Sequence, residues 1–220
     1  VVATDDLGVD GHPHKGGFLP DLGLKRRMWA SGSLEFLQPL HVNETLTRYA
    51  TIDKIDEKGD RMAFVTVSHE VYGENGLAIR EFQNIVYLAM PEKFDPPAKR
   101  AMPEKLVFEN HLAMPSTLLF RFSAITFNAH RIHYDLPYAT EVEGYPGLVI
   151  AGPQLGDWLT QTAIEWLGDD GRLCSFEYSN RKASYIGETL RSGGKVISVD
   201  RSSGDVVLEL FIKNADDEII

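Results

Sequence analysis

The chain has 220 residues and a formal net charge of −10, with 43% apolar and 25% charged residues. This is the composition of an ordinary soluble globular protein, and its acidity argues against a general nucleic-acid binder, because phosphate contacts need a basic face. No run approaches the ~20 apolar residues that span a bilayer, and the first residues lack the layout of a signal peptide. We therefore expect no nucleic-acid or membrane partner, and a cytoplasmic protein, or one of the mitochondrial matrix if the source is eukaryotic.

Few residues of the chain are suited to hold a metal. Cys174 is the single cysteine, which excludes an internal disulfide and a cysteine-based metal site, and we expect it to be buried as a small apolar residue. His12 and His14 lie in the turn-like stretch Gly11–Gly17, where no third ligand stands at a recognised spacing. We expect this stretch to be a surface loop, and we expect neither a metal nor a cofactor.

The first half of the chain predicts an antiparallel meander after an irregular start. Residues 1–33 are rich in Gly, Asp and His, which disfavours regular structure. Runs rich in β-branched and aromatic residues follow, separated by turns at 57–60 and 73–76. These predicted strands are Leu46–Ile55, Arg61–Tyr72 and Ala78–Leu88. No comparable helix accompanies them, so that helix either is lacking in this half or precedes Val1.

Prolines divide the chain into two halves. Residues 90–117 contain Pro91, Pro96, Pro97, Pro103 and Pro115. Proline at this density breaks both helices and strand ladders, which predicts a linker. We therefore expect an N-terminal unit at residues 1–89, incomplete at its start, a linker at 90–117 and a C-terminal unit at 118–220.

The second half predicts a helix followed by three strands. Apolar residues form one continuous stripe along Gln154–Leu167, with Pro153 suited to the first turn and Gly168 to the end. The expected strands are Leu173–Arg181, Thr189–Val199 and Asp205–Asn214. A helix followed by a meander indicates an α+β unit with the helix packed on a curved antiparallel sheet. Leu159 and Ala163 are then expected to be nearly solvent-free.

One segment, Phe120–Asp135, begins with an apolar run, and several polar side chains follow it closely. Within six residues it holds Asn128, His130, Arg131 and His133. Gly152, at the start of the predicted helix, follows His133 by nineteen residues. This concentration predicts a functional site in the C-terminal unit.

The residues of this segment are similar to a known motif. The pattern Asn128-x-x-x-x-His133-x-Asp135-x-x-Tyr138-Ala139, followed by Gly152, resembles the MaoC-like (R)-specific enoyl-thioester hydratases, which adopt the hotdog fold. One subgroup, which contains mesaconyl-C4-CoA (3-methylfumaryl-CoA) and itaconyl-CoA hydratases and hydroxyacyl-thioester dehydratases type 2, is similar over further segments. These are Gly8–Pro20, Arg26–Ala30, Phe120–Asp135 and Glu143–Gly147. The resemblance implies a double hotdog, in which two antiparallel sheets each wrap a central helix and the second unit carries the catalytic motif.

The same resemblance implies an enzyme of the hydro-lyase class with an acyl-CoA thioester as its partner. The reaction would add water across the double bond of a 2-enoyl-CoA, above all a branched C4-dicarboxylic one such as mesaconyl-C4-CoA or itaconyl-CoA, and a homodimer would fit the family. Asn128 stands where the wider family has a catalytic Asp. A non-catalytic acyl-CoA-binding subunit is therefore one alternative. An acyl-CoA thioesterase is another, because hotdog proteins also cleave thioesters.

Hydration assigns expected roles to the motif residues. His133 would take a proton from water, because an unperturbed histidine titrates at ~6.5, and Asn128, which cannot accept a proton, would hold the water. Gly152 would offer a backbone N–H to the thioester oxygen with the positive end of the helix dipole behind it, or it could simply be a glycine that starts a helix. A second acid or base would be His130 or Glu143, although the first could merely cap a backbone group and the second could be an exposed turn carboxylate.

Arg131 has two possible uses. As a fork of donors it could bind a second carboxylate on the acyl group, or it could form a structural ion pair with a carboxylate such as Glu141. We assign Asp135 and Tyr138 to structure, because Asp before Leu-Pro forms a local turn or cap.

Overall fold

The computed structural model describes residues 2–89, 106, 108–168 and 171–220. Its residues fall into two compact units: unit 1 comprises Val1–His14, Lys93–Gly168 and Arg181–Ile220, and unit 2 comprises Lys15–Glu92 and Asp169–Asn180. In chain order the strands and α-helices are β1 (Arg26–Phe36), β2 (Thr47–Glu57), β3 (Met62–Gly73), β4 (Gly76–Leu88), β5 (Phe108–Leu112), α1 (Ser116–Ile125), α2 (Gly152–Leu167), β6 (Ser175–Ser179), β7 (Leu190–Val199) and β8 (Val206–Lys213).

Unit 2 contains an antiparallel sheet in the strand order β2-β3-β4-β1-β6. Alternate residues of β3 are buried, because successive side chains of a strand point to opposite faces of the sheet. They contribute to a core of Leu24, Ala63, Val65, Val67 and Tyr87. The expected meander β2-β3-β4 is confirmed, with each strand end within two residues of its predicted position.

Strand β1 corrects the expectation that residues 1–33 are irregular. It pairs with β4 along its length and with β6 on its other edge. A Cβ atom at Gly32 would lie 2.8 Å from the ring of Tyr178 on β6. The glycine content of residues 1–33 suggested irregular structure, but Gly32 instead permits a close approach within the sheet.

Strand β6 corrects the expected meander after α2. It joins β1 in unit 2, whereas β7 and β8 belong to the sheet of unit 1, in the order β5-β7-β8. Cys174, directly before β6, is exposed and not buried as expected.

Strand β5 and the start of α1 lie in the stretch predicted as a linker, and Pro115 precedes the first residue of α1, where its fixed φ is tolerated. Residues 90–105 and 107 of that linker lie outside the described residues.

Helix α2 confirms the predicted amphipathic helix and packs on the sheet of unit 1. Its apolar stripe contributes to a core of Leu112, Met114, Ile150, Leu155, Leu190, Ile212 and Ile220. Trp158 Nε1 donates to Ser192 Oγ of β7 at 3.0 Å, which fixes the helix to the sheet. Ala163 is 3% exposed as expected, but Leu159 is only partly buried, because it packs at the edge of this core.

Neither α1 nor α2 has the length and apolar character that a membrane-crossing helix needs, and the described ranges contain no other helix that does.

Candidate active site

The polar segment behind α1 is folded into short turns of unit 1. Helix α1 ends at Ile125, and Phe127 takes a positive φ of 52°, which reverses the chain. Asn128 N then donates to Ser123 O at 2.9 Å. A single 3₁₀ turn, Arg131–His133, and a π turn, Tyr138–Val142, follow. The motif residues are therefore presented by tightly bonded turns and not by a regular helix or strand.

His133 is buried and has a defined tautomer. Its side chain lies beneath the turn with 8% exposure, and Nδ1 is 2.7 Å from the carbonyl oxygen of Val149. A carbonyl oxygen can only accept, so Nδ1 carries the proton and Nε2 keeps a free lone pair. Burial lowers the pKa of His133 to about 4, because it disfavours the charged imidazolium. At neutral pH the ring is therefore neutral and able to accept a proton at Nε2.

The segment that holds His133 also leads into α2. Val149 N donates to Ile132 O at 3.0 Å, and Ile150 N donates to Ser184 O at 2.9 Å. Three residues after Val149, Gly152 begins a helix of 16 residues. The first N–H groups of a helix have no intrahelical acceptor and lie at its positive end. The chain thus connects the histidine's anchor directly to a helix start that can donate to a developing negative charge.

Asn128 has one end of its amide occupied. Its Oδ1 accepts the backbone N–H of His130 at 3.2 Å. Nδ2 is consequently the end that can donate to a water molecule. This agrees with the expected use of Asn128 as a holder of water, which stays a prediction.

Arg131 forms an ion pair with Asp135 and not with Glu141. Its Nε and Nη2 donate to Asp135 Oδ2 at 3.0 and 2.7 Å. Nη1 donates to Val9 O at 3.0 Å, and the guanidinium lies 4.2 Å from the ring centroid of Tyr138. The hydrogen bond from Arg131 is the largest cause of the lowered pKa of Asp135, followed by that from Tyr138 N. Three of the five N–H donors of Arg131 are thereby engaged.

His130 and Glu143, the two expected candidates for a second acid or base, differ in their surroundings. His130 is buried, and its ring meets that of His133 edge to face with centroids 5.4 Å apart. Glu143 is half-buried, and its Oε1 accepts the hydroxyl of Tyr138 at a long 3.5 Å. The structure thus brings His130 against His133 and places Glu143 beside Tyr138.

The N-terminal loop contributes residues that the sequence analysis missed. His12 was expected on a surface loop, but its ring lies on that of His130 with centroids 3.9 Å apart. The neighbouring Gly11 is buried against Ala129, whose carbonyl oxygen would clash with an added Cβ atom. The segment Gly8–Pro20 was part of the resemblance and was the one signal that could have pointed to this loop.

Gln154 was also missed. It is 4% exposed in the first turn of α2, and its Oε1 has no hydrogen-bond partner among the residues that the structure describes. A buried amide oxygen without a partner costs free energy, so this atom is a candidate contact for water or substrate. Nothing in its spacing distinguished it from the other polar residues of the helix.

Known proteins are similar to the chain in sequence and in fold. It is 42% identical over 167 residues to the mesaconyl-C(4)-CoA hydratase of Chloroflexus aurantiacus, covering 71% of this chain and 58% of that protein. It is 30% identical over 157 residues to the mitochondrial hydroxyacyl-thioester dehydratase type 2 of Schizosaccharomyces pombe, covering 60% of this chain and 51% of that protein. The chain therefore spans between half and two thirds of the length of these relatives.

The structure matches that of a MaoC-like dehydratase with a TM-score of 0.75 at 14% identity, over 89% of this chain and 73% of the other. It also matches a Mycobacterium tuberculosis protein that has a double hotdog fold, with a TM-score of 0.59 at 15% identity, over 90% of this chain and 72% of the other. These likenesses confirm the expected α+β double hotdog fold. The family model described as hydroxyacyl-thioester dehydratase type 2 matches residues 2–186. Because that match covers most of the chain, the protein belongs to the hydroxyacyl-thioester dehydratase type 2 family.

Proposed function

We propose that the protein is a hydro-lyase that adds water across the double bond of a 2-enoyl-CoA thioester and catalyses the reverse dehydration. The observation that carries this proposal is the neutral His133, whose Nδ1 is fixed on Val149 O so that Nε2 can accept a proton. The segment that anchors it runs into the start of α2 at Gly152. A base and an oxyanion donor held by the same short segment suit addition to a thioester-conjugated double bond.

In the proposed reaction, each site residue acts at one step. Asn128 Nδ2 holds the water, and His133 Nε2 removes a proton as the water oxygen bonds to C3. The electrons of the double bond move toward the thioester carbonyl, whose oxygen accepts the N–H of Gly152. A second proton then adds to C2 and gives the 3-hydroxyacyl thioester. Positioned general bases of this kind contribute ~10²- to 10⁴-fold to a rate.

We propose a branched C4-dicarboxylic acyl group, as in mesaconyl-C4-CoA or itaconyl-CoA, for the preferred substrate. Support comes from the 42% identity to a mesaconyl-C(4)-CoA hydratase. Such a substrate carries a second carboxylate, which needs a cationic partner. Arg131 keeps two of its five N–H donors beyond the bonds to Asp135 and Val9, and we propose it as that partner. His130 and Glu143 complete the proposed substrate-binding set.

The deciding experiment follows the thioester and the double bond separately. With crotonyl-CoA and a mesaconyl thioester, we expect loss of the near-ultraviolet enoyl-thioester absorbance without release of free thiol. Release of CoA thiol would instead identify a thioesterase. Binding of both thioesters without turnover would identify a non-catalytic acyl-CoA-binding subunit.

We propose a homodimer as the assembly. Phe120, Ile125 and Phe127 are exposed on and just behind α1, and apolar side chains in such a group are commonly covered by a protein contact. Sedimentation velocity should show a dimer at micromolar concentration, and a monomer would contradict this assembly.

A mitochondrial relative supports the matrix as the compartment in a eukaryote, and the cytoplasm is proposed for a bacterial source.

A further inference from the structure

The hydration proposed above leaves one proton transfer unassigned. His133 accepts the proton of water, and a different group must deliver a proton to C2. Asn128 cannot do so because a carboxamide does not titrate, and its Oδ1 is already bonded to His130 N. Because His130 and Glu143 are proposed to bind the substrate, the second acid must come from another residue of unit 1.

The N-terminal loop, residues 8–14, is fixed against the motif by several contacts. Arg131 N donates to Asp10 O at 2.9 Å, and Arg131 Nη1 donates to Val9 O at 3.0 Å. Gly11, with φ of 84°, fits against the Ala129 carbonyl with no room for a side chain. These bonds join residues more than a hundred positions apart in the chain, so the loop is part of the site's tertiary structure and does not merely pass near it.

The loop presents a carboxylate and an imidazole as a pair. Asp10 Oδ1 accepts the backbone N–H of His12 at 3.0 Å, and Asp10 Oδ2 lies 3.2 Å from His12 Nδ1. A carboxylate oxygen accepts, so Nδ1 carries the proton and Nε2 is the end of the ring that can exchange a proton elsewhere. Both side chains are largely shielded, with 25% exposure for His12 and 20% for Asp10.

His12 is connected to His133 through His130. The rings of His12 and His130 are 3.9 Å apart, and those of His130 and His133 are 5.4 Å apart. His12 also acts electrostatically on His133, because its charge is among the causes that lower the pKa of the buried ring. The three imidazoles thus form one continuous group in unit 1.

We propose that the Asp10–His12 pair is the second acid–base group of this active site and supplies the proton that adds to C2. This rests on the proposed hydratase function. In the hydration direction, His12 as an imidazolium gives its Nε2 proton to C2 while Nδ1 stays on Asp10, and His133 Nε2 takes one proton from water. The water O–H bond, the C2=C3 π bond and the His12 Nε2–H bond break, and the C3–O, C2–H and His133 Nε2–H bonds form. The proton on His133 then returns to His12 through solvent.

The test compares His12→Gln with His14→Gln in the full chain. His14 is an exposed histidine of the same loop and is the matched control. For His12→Gln we expect kcat to fall ~10²- to 10⁴-fold, as for loss of a general acid, with KM changed less than threefold or so. Added imidazole should restore part of the kcat that His12→Gly loses, because it can occupy the place of the missing ring. In His133→Ala the His12 ring is still present, so imidazole should not act at the His12 position.

Each outcome decides the proposal. If the wild-type protein hydrates the substrate and His12→Gln has the same kcat as His14→Gln, the role of His12 is overturned. The hydratase function then remains. Wild-type thiol release without hydration overturns both. If His12→Gln fails to fold by circular dichroism, Asp10→Asn takes its place, because the amide keeps an oxygen for His12 N but removes the negative charge beside Nδ1. A kcat of Asp10→Asn equal to the wild-type value then overturns the proposal.

Discussion

Burial and one backbone carbonyl together decide what His133 can do. An exposed histidine would be partly protonated at neutral pH and would choose freely between its tautomers. Here Val149 O holds the proton on Nδ1, and burial lowers the pKa to about 4. Both effects leave Nε2 as a permanent acceptor. The sequence pattern pointed to this histidine, but its charge state follows only from the surroundings.

The activity of three variants at two motif positions tests these roles. His133→Ala should lower kcat by ~10²- to 10⁴-fold, the range for a general base, and Asn128→Ala should cost less. Asn128→Asp should retain or raise activity on crotonyl-CoA, because one carboxylate oxygen can still accept His130 N–H while the other faces the water. If Asn128→Asp were inactive and His133→Ala nearly normal, Glu143 would become the next candidate for the base.

The buried histidine also makes stability depend on pH. Its folded pKa of about 4 lies below the unfolded value of 6.5, so the unfolded chain binds more protons between these pH values. The contribution of His133 to the free energy of unfolding, about 3 kcal/mol, should therefore be fully present above pH ~6.5. It should be lost as the pH falls toward ~4. In urea titrations, His133→Gln should lack this share of the acid loss, since its amide can still donate to Val149 O. Parallel curves for the two proteins would contradict the burial effect.

Substrate selectivity tests Arg131. If its remaining donors bind a distal carboxylate, Arg131→Met should reduce the preference for a dicarboxylic thioester over crotonyl-CoA by about 1 to 3 kcal/mol, the contribution of a charge-assisted hydrogen bond. Arg121→Met, at an exposed arginine of α1, is the control. An equal loss of kcat/KM on both substrates would assign Arg131 to holding Asp135 and the N-terminal loop.

At the scale of elements, the site is assembled from turns and a loop that are held by backbone hydrogen bonds. Helix α1 and the start of α2 frame the motif, and the loop at residues 8–14 lies on it through Asp10 O and Val9 O. Short turns can present several side chains toward one point. They need close tertiary packing for this, because they lack the repeated bonds of helices and strands.

Substitution of two N-terminal glycines distinguishes two losses of stability. One comes from steric packing of a new side chain, and the other from a positive φ angle. Gly11 and Gly16 have nearly the same φ, 84° and 85°, but only Gly11 has a neighbour within 4 Å of an added Cβ. Gly11→Ala should lower the free energy of unfolding by about 2 kcal/mol more than Gly16→Ala, because the loop must move away from Ala129. Urea denaturation measures both, and equal losses would mean that the loop is not packed against the motif.

At the scale of the whole molecule, neither unit is a continuous segment of the chain. The sheet of unit 2 is completed by β6, which follows α2, and unit 1 includes the first residues as well as the last. Residues far apart in sequence must therefore meet before either unit is complete. This arrangement makes the stability of unit 2 depend on residues beyond the catalytic motif.

Tyr178 on β6 tests this dependence. Its ring lies on Gly32 of β1 and stacks with Phe176 at 5.2 Å. Tyr178→Ala should lower the free energy of unfolding by about 1 to 3 kcal/mol, since a partly buried aromatic side chain is lost. Glu177→Ala, on the exposed side of the same strand, should change it by less than about 0.5 kcal/mol. Similar melting of both variants would show that β6 contributes little to the sheet.

Local patterns in the sequence alone determined β2, β3, β4 and α2, and also the existence of β6, β7 and β8, whose ends lie within two residues of the predicted ones. Alternation, turn residues and the helical stripe act over a few neighbouring positions, and the structure confirms each of these elements. The spacing of the motif likewise identified the family, which the matched residues 2–186 confirm. The roles given to Asn128, His133 and Gly152 from the same motif stay predictions.

The tertiary structure alone decided which strands pair and which residues share the site. Strand β6 leaves the predicted meander for β1, and Arg131 bonds to Val9, which is 122 residues away. The low pKa of His133 and the position of His12 on His130 also depend on such distant contacts. No pattern within a short window encodes them, because burial and pairing are properties of segments that meet only after the chain has folded.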